Sequence, residues 1–194
     1  MGAQPKPLPF SFDVLLDGET DFAGWRDAAR RLALNEVPPD VPEGATMNVP
    51  RAFVDQAELV ICHSDPQRFG LLYRILFRLR SDHDLMKIAS DRDIIGVNEM
   101  AKSVRRDIHK MRAFVRFRQI VEAGEERYVA WFEPQHHIVE RNAPFFQRRF
   151  TGMRWTILTP ELSADWDGET LRFGPGAEKR DAPSDDDLEA LWKT

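Results

Sequence analysis

The chain has 194 residues, 42% hydrophobic and 30% charged, with a formal net charge of −5. That length supports one sizeable core, and no apolar run approaches the roughly 20 residues of a bilayer-spanning helix. A single cysteine, Cys62, excludes an internal disulfide framework and a four-thiolate zinc or iron–sulfur site, and the start lacks a secretory layout, so a cytoplasmic location without membrane contact is expected.

Residues 1–9 are Pro-rich and read as a flexible arm, and residues 10–183 read as a single α+β domain. Phe10 to Leu16 is β-rich and turns at Asp17-Gly18, which predicts a first strand. Asp21 caps a helix running to about Asn35, with Phe22, Trp25, Ala29, Leu32 and Ala33 on one side. The prolines and Gly44 between Pro38 and Asn48 predict a loop. Val49-Pro50 opens the next helix, whose apolar end (Leu59, Val60, Ile61) makes Cys62 a buried small hydrophobe. Asp65-Pro66 starts a third helix to about Leu79, and a shorter helical stretch is expected from Ser81 to Ala89. Another helix begins near Asp91 and runs to about Lys110.

At Met111 the apolar period shifts to two, which predicts a strand with Arg112, Phe114, Arg116 and Arg118 on one face. A turn at Ala123-Gly124 returns the chain through Tyr128 to Phe132 as a hairpin. Pro134 opens a short helix that Pro144 interrupts. A strand over Met153 to Thr159 and a hairpin turning at Asp167-Gly168 follow. Ser184 caps a last helix that Thr194 cuts short, the expected start of an element continuing in a longer parent protein. The predicted architecture is a helical N-terminal half packed on an antiparallel sheet of about four to six strands.

Charge is unevenly spread. Between Ala101 and Arg154 twelve Lys/Arg face six Asp/Glu, a net of about +6 inside a chain of −5. Three of the five histidines, His109, His136 and His137, lie in this block. A confined positive field on an acidic protein points to a polyanion-facing surface, with nucleic acid the first candidate. Lys110 to Phe117 matches an RNA-binding strand pattern at Lys110, Ala113, Phe114, Val115 and Phe117 but fails at Met111 and Arg112, so that motif is set aside. His136 and Glu140 stand four apart, yet no third metal ligand is placed and no metal site is expected. His109 and His137 are the only candidates for acid–base chemistry, and neither has a carboxylate partner fixed by spacing. No phosphate-binding glycine loop, dinucleotide fingerprint or nucleophile elbow is present.

Val104 to Phe117, Trp131-Phe-Glu-Pro-Gln-His-His-Ile, Phe145-Phe-Gln-Arg-Arg-Phe and Met153-Arg-Trp-Thr-Ile together resemble a bacterial family described as "probable DNA metabolism protein". Trp166-Asp-Gly and Leu188 to Lys193 extend the resemblance, which covers about Pro50 to the C-terminus. The resemblance implies motif positions at His109, Arg116, Phe117, His137, Phe146, Arg149, Phe150 and Trp155. It also implies two settings: the N-terminal domain of a UdgX-type uracil-DNA glycosylase in cis, or a stand-alone partner of a radical-SAM helix-hairpin-helix protein. The cysteines of the glycosylase cluster are missing, so no cofactor is expected in this chain.

The leading expectation is a non-catalytic, DNA-binding accessory domain of DNA repair. Arg105, Arg106, Lys110, Arg112, Arg116, Arg118, Arg148 and Arg149 would neutralise phosphates, and His109, His137 and Phe114 would meet a base or the backbone. The alternatives are an enzyme acting on a nucleobase or modified nucleotide through His109 or His137, and a protein-interaction domain without nucleic-acid contact.

Overall fold

The predicted helical half forms around α1 (Phe22–Asn35), α2 (Arg51–Val60), α3 (Gln67–Arg78) and α4 (Arg92–Phe114) in a computed structural model that describes Leu16 and residues 18–35, 49–122 and 124–183. The expected arm, the strand from Phe10, the Pro38–Asn48 loop and the helix at Ser184 lie outside the described residues.

Local chemistry sets the helix starts. The Asp21 carboxylate accepts the Gly24 N–H at 2.8 Å, and the Asp65 carboxylate accepts that of Gln67 at 2.8 Å. Asp91 accepts from the N–H groups of Asp93 and Ile94 and so caps α4. The Ser81–Ala89 stretch is not a helix of any length; it holds one 3-10 turn at Leu85–Lys87.

The strand expected from Met111 does not form, because α4 continues through Phe114 for 23 residues in all. Met111 is buried on the same stripe as Val97, Ala101, Val104 and Asp107, so helical spacing outcompetes the local alternation. Arg112 and Phe114 therefore sit on a helix, and Arg116 lies in the link to the sheet.

The sheet has strands β1 (Arg118–Glu122), β2 (Glu125–Trp131), β3 (Trp155–Leu158), β4 (Leu162–Trp166) and β5 (Leu171–Pro175), side by side in that order. Gly124 and Gly168 hold positive φ at the β1–β2 and β4–β5 hairpin turns, where glycine bears no steric cost. The sheet is mixed rather than antiparallel: β2 and β3 pair in parallel, from Tyr128 with Trp155 to Trp131 with Leu158. The link between them carries α5 (Val139–Arg149), which supplies the crossover a parallel pair requires. α5 starts five residues later than Pro134 and runs through Pro144 without breaking. One continuous core extends from Trp25 and Ala57 through Val104 and Met111 to Phe146, Trp155 and Trp166, joining helices and sheet as an α+β fold. Phe117, Phe146, Phe150 and Trp155 meet there as an aromatic cluster.

Candidate nucleic-acid interface

Between Glu99 and Glu122 the sequence has one acidic residue, Asp107. It is buried, and its carboxylate accepts the N–H groups of Gln135 and His136 at 2.8 and 3.0 Å. The exposed side of the C-terminal half of α4 is thus cationic. Lys102, Arg106 and His109 recur at helical spacing there, beside Arg105 and Arg112, and all five are exposed. Arg105 donates to Gln56 at 2.8 Å, and Lys110 is half-buried. Arg112 donates to Asn142 at 2.7 Å and lies 4.5 Å over the Phe145 ring, which stiffens its guanidinium.

At its C-terminal end α4 opens onto a cleft of about 760 Å³. Phe114 stands on one side, 66% exposed. Arg118 pairs with Val129 across β1 and β2, and Trp131 follows two residues on, so all three share one face of the sheet and line the same cleft. Arg116 joins them, its guanidinium donating to the carbonyls of Ala113 and Val115 at the end of the helix. The opposite wall is the stretch after β5, with Lys179, Arg180, Ala182 and Pro183. Arg118 donates to the Pro183 carbonyl at 2.8 Å and ties the two walls together. Among the described residues four cations and two aromatics line the space and no carboxylate does. At its edge Glu178 pairs with Arg180 at 2.9 Å and Glu133 accepts the Trp131 indole N–H at 2.8 Å.

The structure brings Phe114, Arg116 and Arg118 together, sets Arg105, Arg106, His109 and Arg112 along the adjoining helix, and leaves Arg148 and Arg149 exposed on the last turn of α5. Three other cations of the basic block are paired with acids: Arg127 with Asp165, Arg141 with Glu58, and Arg154 with Glu125. Sequence reasoning missed Lys179, Arg180 and Trp131 as cleft residues. The first two lie outside the basic block, in a loop whose return to β1 no local pattern encodes.

His137 sits apart from this cleft, in a cavity of about 280 Å³ lined also by Glu19, Thr20, Pro134, Val139 and Glu161. Its Nδ1 lies 2.7 Å from a Glu161 carboxylate oxygen and its Nε2 3.8 Å from one of Glu19. Glu140, at the edge of the same cavity, accepts from the Thr20 hydroxyl at 2.5 Å. Glu19 is held below the ordinary carboxylate range by its hydrogen bond from Arg68. His136 is off α5, so the His136–Glu140 helical pair does not exist; its ring is buried, with Nδ1 accepting the Ser64 N–H at 3.2 Å and Nε2 2.8 Å from the Ser103 hydroxyl. With Nδ1 an acceptor, the neutral ring carries its proton on Nε2 and donates to Ser103. Burial first, and then the neighbouring His63 ring at 4.3 Å between centroids, pushes His136 below its usual range. Burial also raises the Cys62 thiol to about 11, which keeps it protonated and inert. Among the described residues no group of three or more His, Cys, Asp and Glu could hold a metal ion, and no helix is long and apolar enough to cross a membrane.

The fold and its cleft define an α+β domain with an electropositive, aromatic-edged concavity. The chain belongs to the DUF4130 family, described as a domain of unknown function, whose model matches residues 66–194. The matched stretch contains α4, the whole sheet and every residue of the cleft. No curated protein and no solved structure matches the chain.

Proposed function

We propose that this chain is a nucleic-acid-binding domain of DNA repair or metabolism with no chemistry of its own. In this reading it places a uracil-DNA glycosylase in cis, or a radical-SAM helix-hairpin-helix partner in trans, on a DNA strand. The observation that carries it is the continuity of positive charge from the exposed side of α4 into the cleft walled by Arg116, Arg118, Lys179 and Arg180. A polyanion is the partner such a surface fits, and phosphate neutralisation releases counterions, which makes affinity fall with salt. With about six phosphates engaged on a duplex, log affinity falls with log salt at a slope near −5. Titration of labelled DNA at several salt concentrations tests this, and a flat response excludes the role.

A second reading has one observation behind it, the Glu161–His137 pair opening on its own cavity. A carboxylate that accepts the Nδ1–H hydrogen bond fixes the tautomer and leaves the Nε2 lone pair as a base in the cavity, an arrangement suited to acid–base work on a nucleobase. Turnover of nucleosides or modified oligonucleotides that His137→Gln abolishes would establish it. Their remaining intact over long incubation would exclude it. His109, exposed on α4, has no such setting.

A further inference from the structure

We infer that the cleft at the end of α4 takes an unpaired strand, with one base stacked on Phe114 beside Trp131 and the flanking phosphates on Arg116, Lys179 and Arg180. This deepens the nucleic-acid reading above and rests on it. Three observations lead to it. Phe114 is a large aromatic ring left 66% exposed at a helix end, although the residue after it, Val115, is buried in the core. A ring placed so gives up most of the burial it could have, and among the described residues most of its surface is open to a stacking partner. Trp131, half-buried and oriented by its hydrogen bond to Glu133, lies in the same concavity, so two aromatic surfaces and four cations share one space. Its volume of about 760 Å³ falls in the range of about 300–1,000 Å³ usual for sites that enclose a ligand's surface.

Shape separates the strand from the duplex. In a duplex each base is covered on both faces by its neighbours and turned inward, so only phosphates and groove edges reach a protein. The convex, cationic side of α4 suits such a backbone, whereas the cleft has its aromatics at the wall and its cations around them. A single strand exposes base faces and phosphates together, and stacking with any base contributes about 1–3 kcal/mol without reading sequence. The site therefore recognises strandedness and not sequence.

The test uses the full chain and three fluorescein-labelled probes of about twelve nucleotides, near the span of single-strand sites: a mixed-sequence single strand, its duplex, and an abasic strand of equal charge. The single strand is expected to bind about tenfold more tightly than the duplex, and Phe114→Ala to cost the single strand about tenfold. The same variant leaves the abasic strand and the salt slope unchanged, while Phe114→Trp restores the loss. Lys179→Gln lowers the slope by about one for every probe. Equal affinity for single strand and duplex, or an equal loss on the abasic strand, would overturn the stacking site while leaving the nucleic-acid reading in place. Salt-independent or absent binding of all three probes would overturn both.

Discussion

Arg68 illustrates how much one side chain organises. It is 1% exposed, and its guanidinium donates to the carbonyls of Ile61, Asp65 and Glu19 and to the Glu19 carboxylate at 2.6 Å. It thus fixes the turn after α2 that carries His63 and Ser64. Replacing it with methionine keeps much of the stem volume but strips those acceptors of their donor, at a cost of about 3 kcal/mol; urea unfolding measures it. Nothing in the sequence separates Arg68 from Arg74 and Arg78 on the same helix, because only burial does, and burial is a tertiary fact. The imidazoles of His63 and His136 are both pushed down, mainly by desolvation. Below about pH 6.5 the unfolded chain takes up protons that the folded chain refuses, so stability is complete above that value and falls as pH drops through it. His136→Gln, which cannot titrate, is expected to flatten that part of the pH–stability curve in thermal melts between about pH 7 and about pH 5.

Among the elements, the helices that begin at Asp21, Pro50, Asp65 and Asp91 were legible because a short polar side chain or a proline at each start does its work locally. Asp91 does more than cap. Arg78 donates to it at 2.5 Å, and this, with the bonds from Ile94 and Asp93, holds its carboxyl at about 2. Its contribution is present above the ordinary carboxylate value and is lost as pH falls toward about 2. Asp91→Ala is expected to lower the thermal midpoint by a few degrees at neutral pH and to remove that acid limb, as melts of the two proteins across the acid range would reveal. The end of α4 was not legible, since Met111, Ala113, Val115 and Phe117 alternate as a strand would while Met111 also completes the helix stripe. The longer stripe wins, and with it Phe114 moves from a strand face to a helix end. Equally hidden was the parallel β2–β3 pair: strand composition reports burial and pleat, while direction is set by where α5 packs.

At the scale of the whole molecule, the charge asymmetry read from composition becomes a surface. Part of the block is neutralised by Glu58, Glu125 and Asp165, and the remainder gathers on α4, on the last turn of α5 and in the cleft, with Lys179 and Arg180 added from a distant stretch. Residues 184–194 carry four carboxylates against one lysine, and the chain reaches them from Pro183 in the cleft wall. A protein ending at Pro183 is expected to hold DNA several-fold more tightly, with the gain shrinking as salt rises. Anisotropy titrations at low and high salt check this, and equal affinities at low salt would contradict it.

The uninterrupted length of α4 has a consequence for geometry. Twenty-three residues rise about 34 Å, close to the axial advance of one turn of B-form DNA. The helix is a rigid yardstick, with the Arg78–Asp91 corner at one end and Phe114 at the other. In the nucleic-acid reading proposed above, a duplex laid along that axis would run about ten base pairs from the corner to Phe114, a span set by backbone geometry. Inserting one helical turn into α4 would lengthen that span by about 5.4 Å, between one and two base pairs of such a duplex.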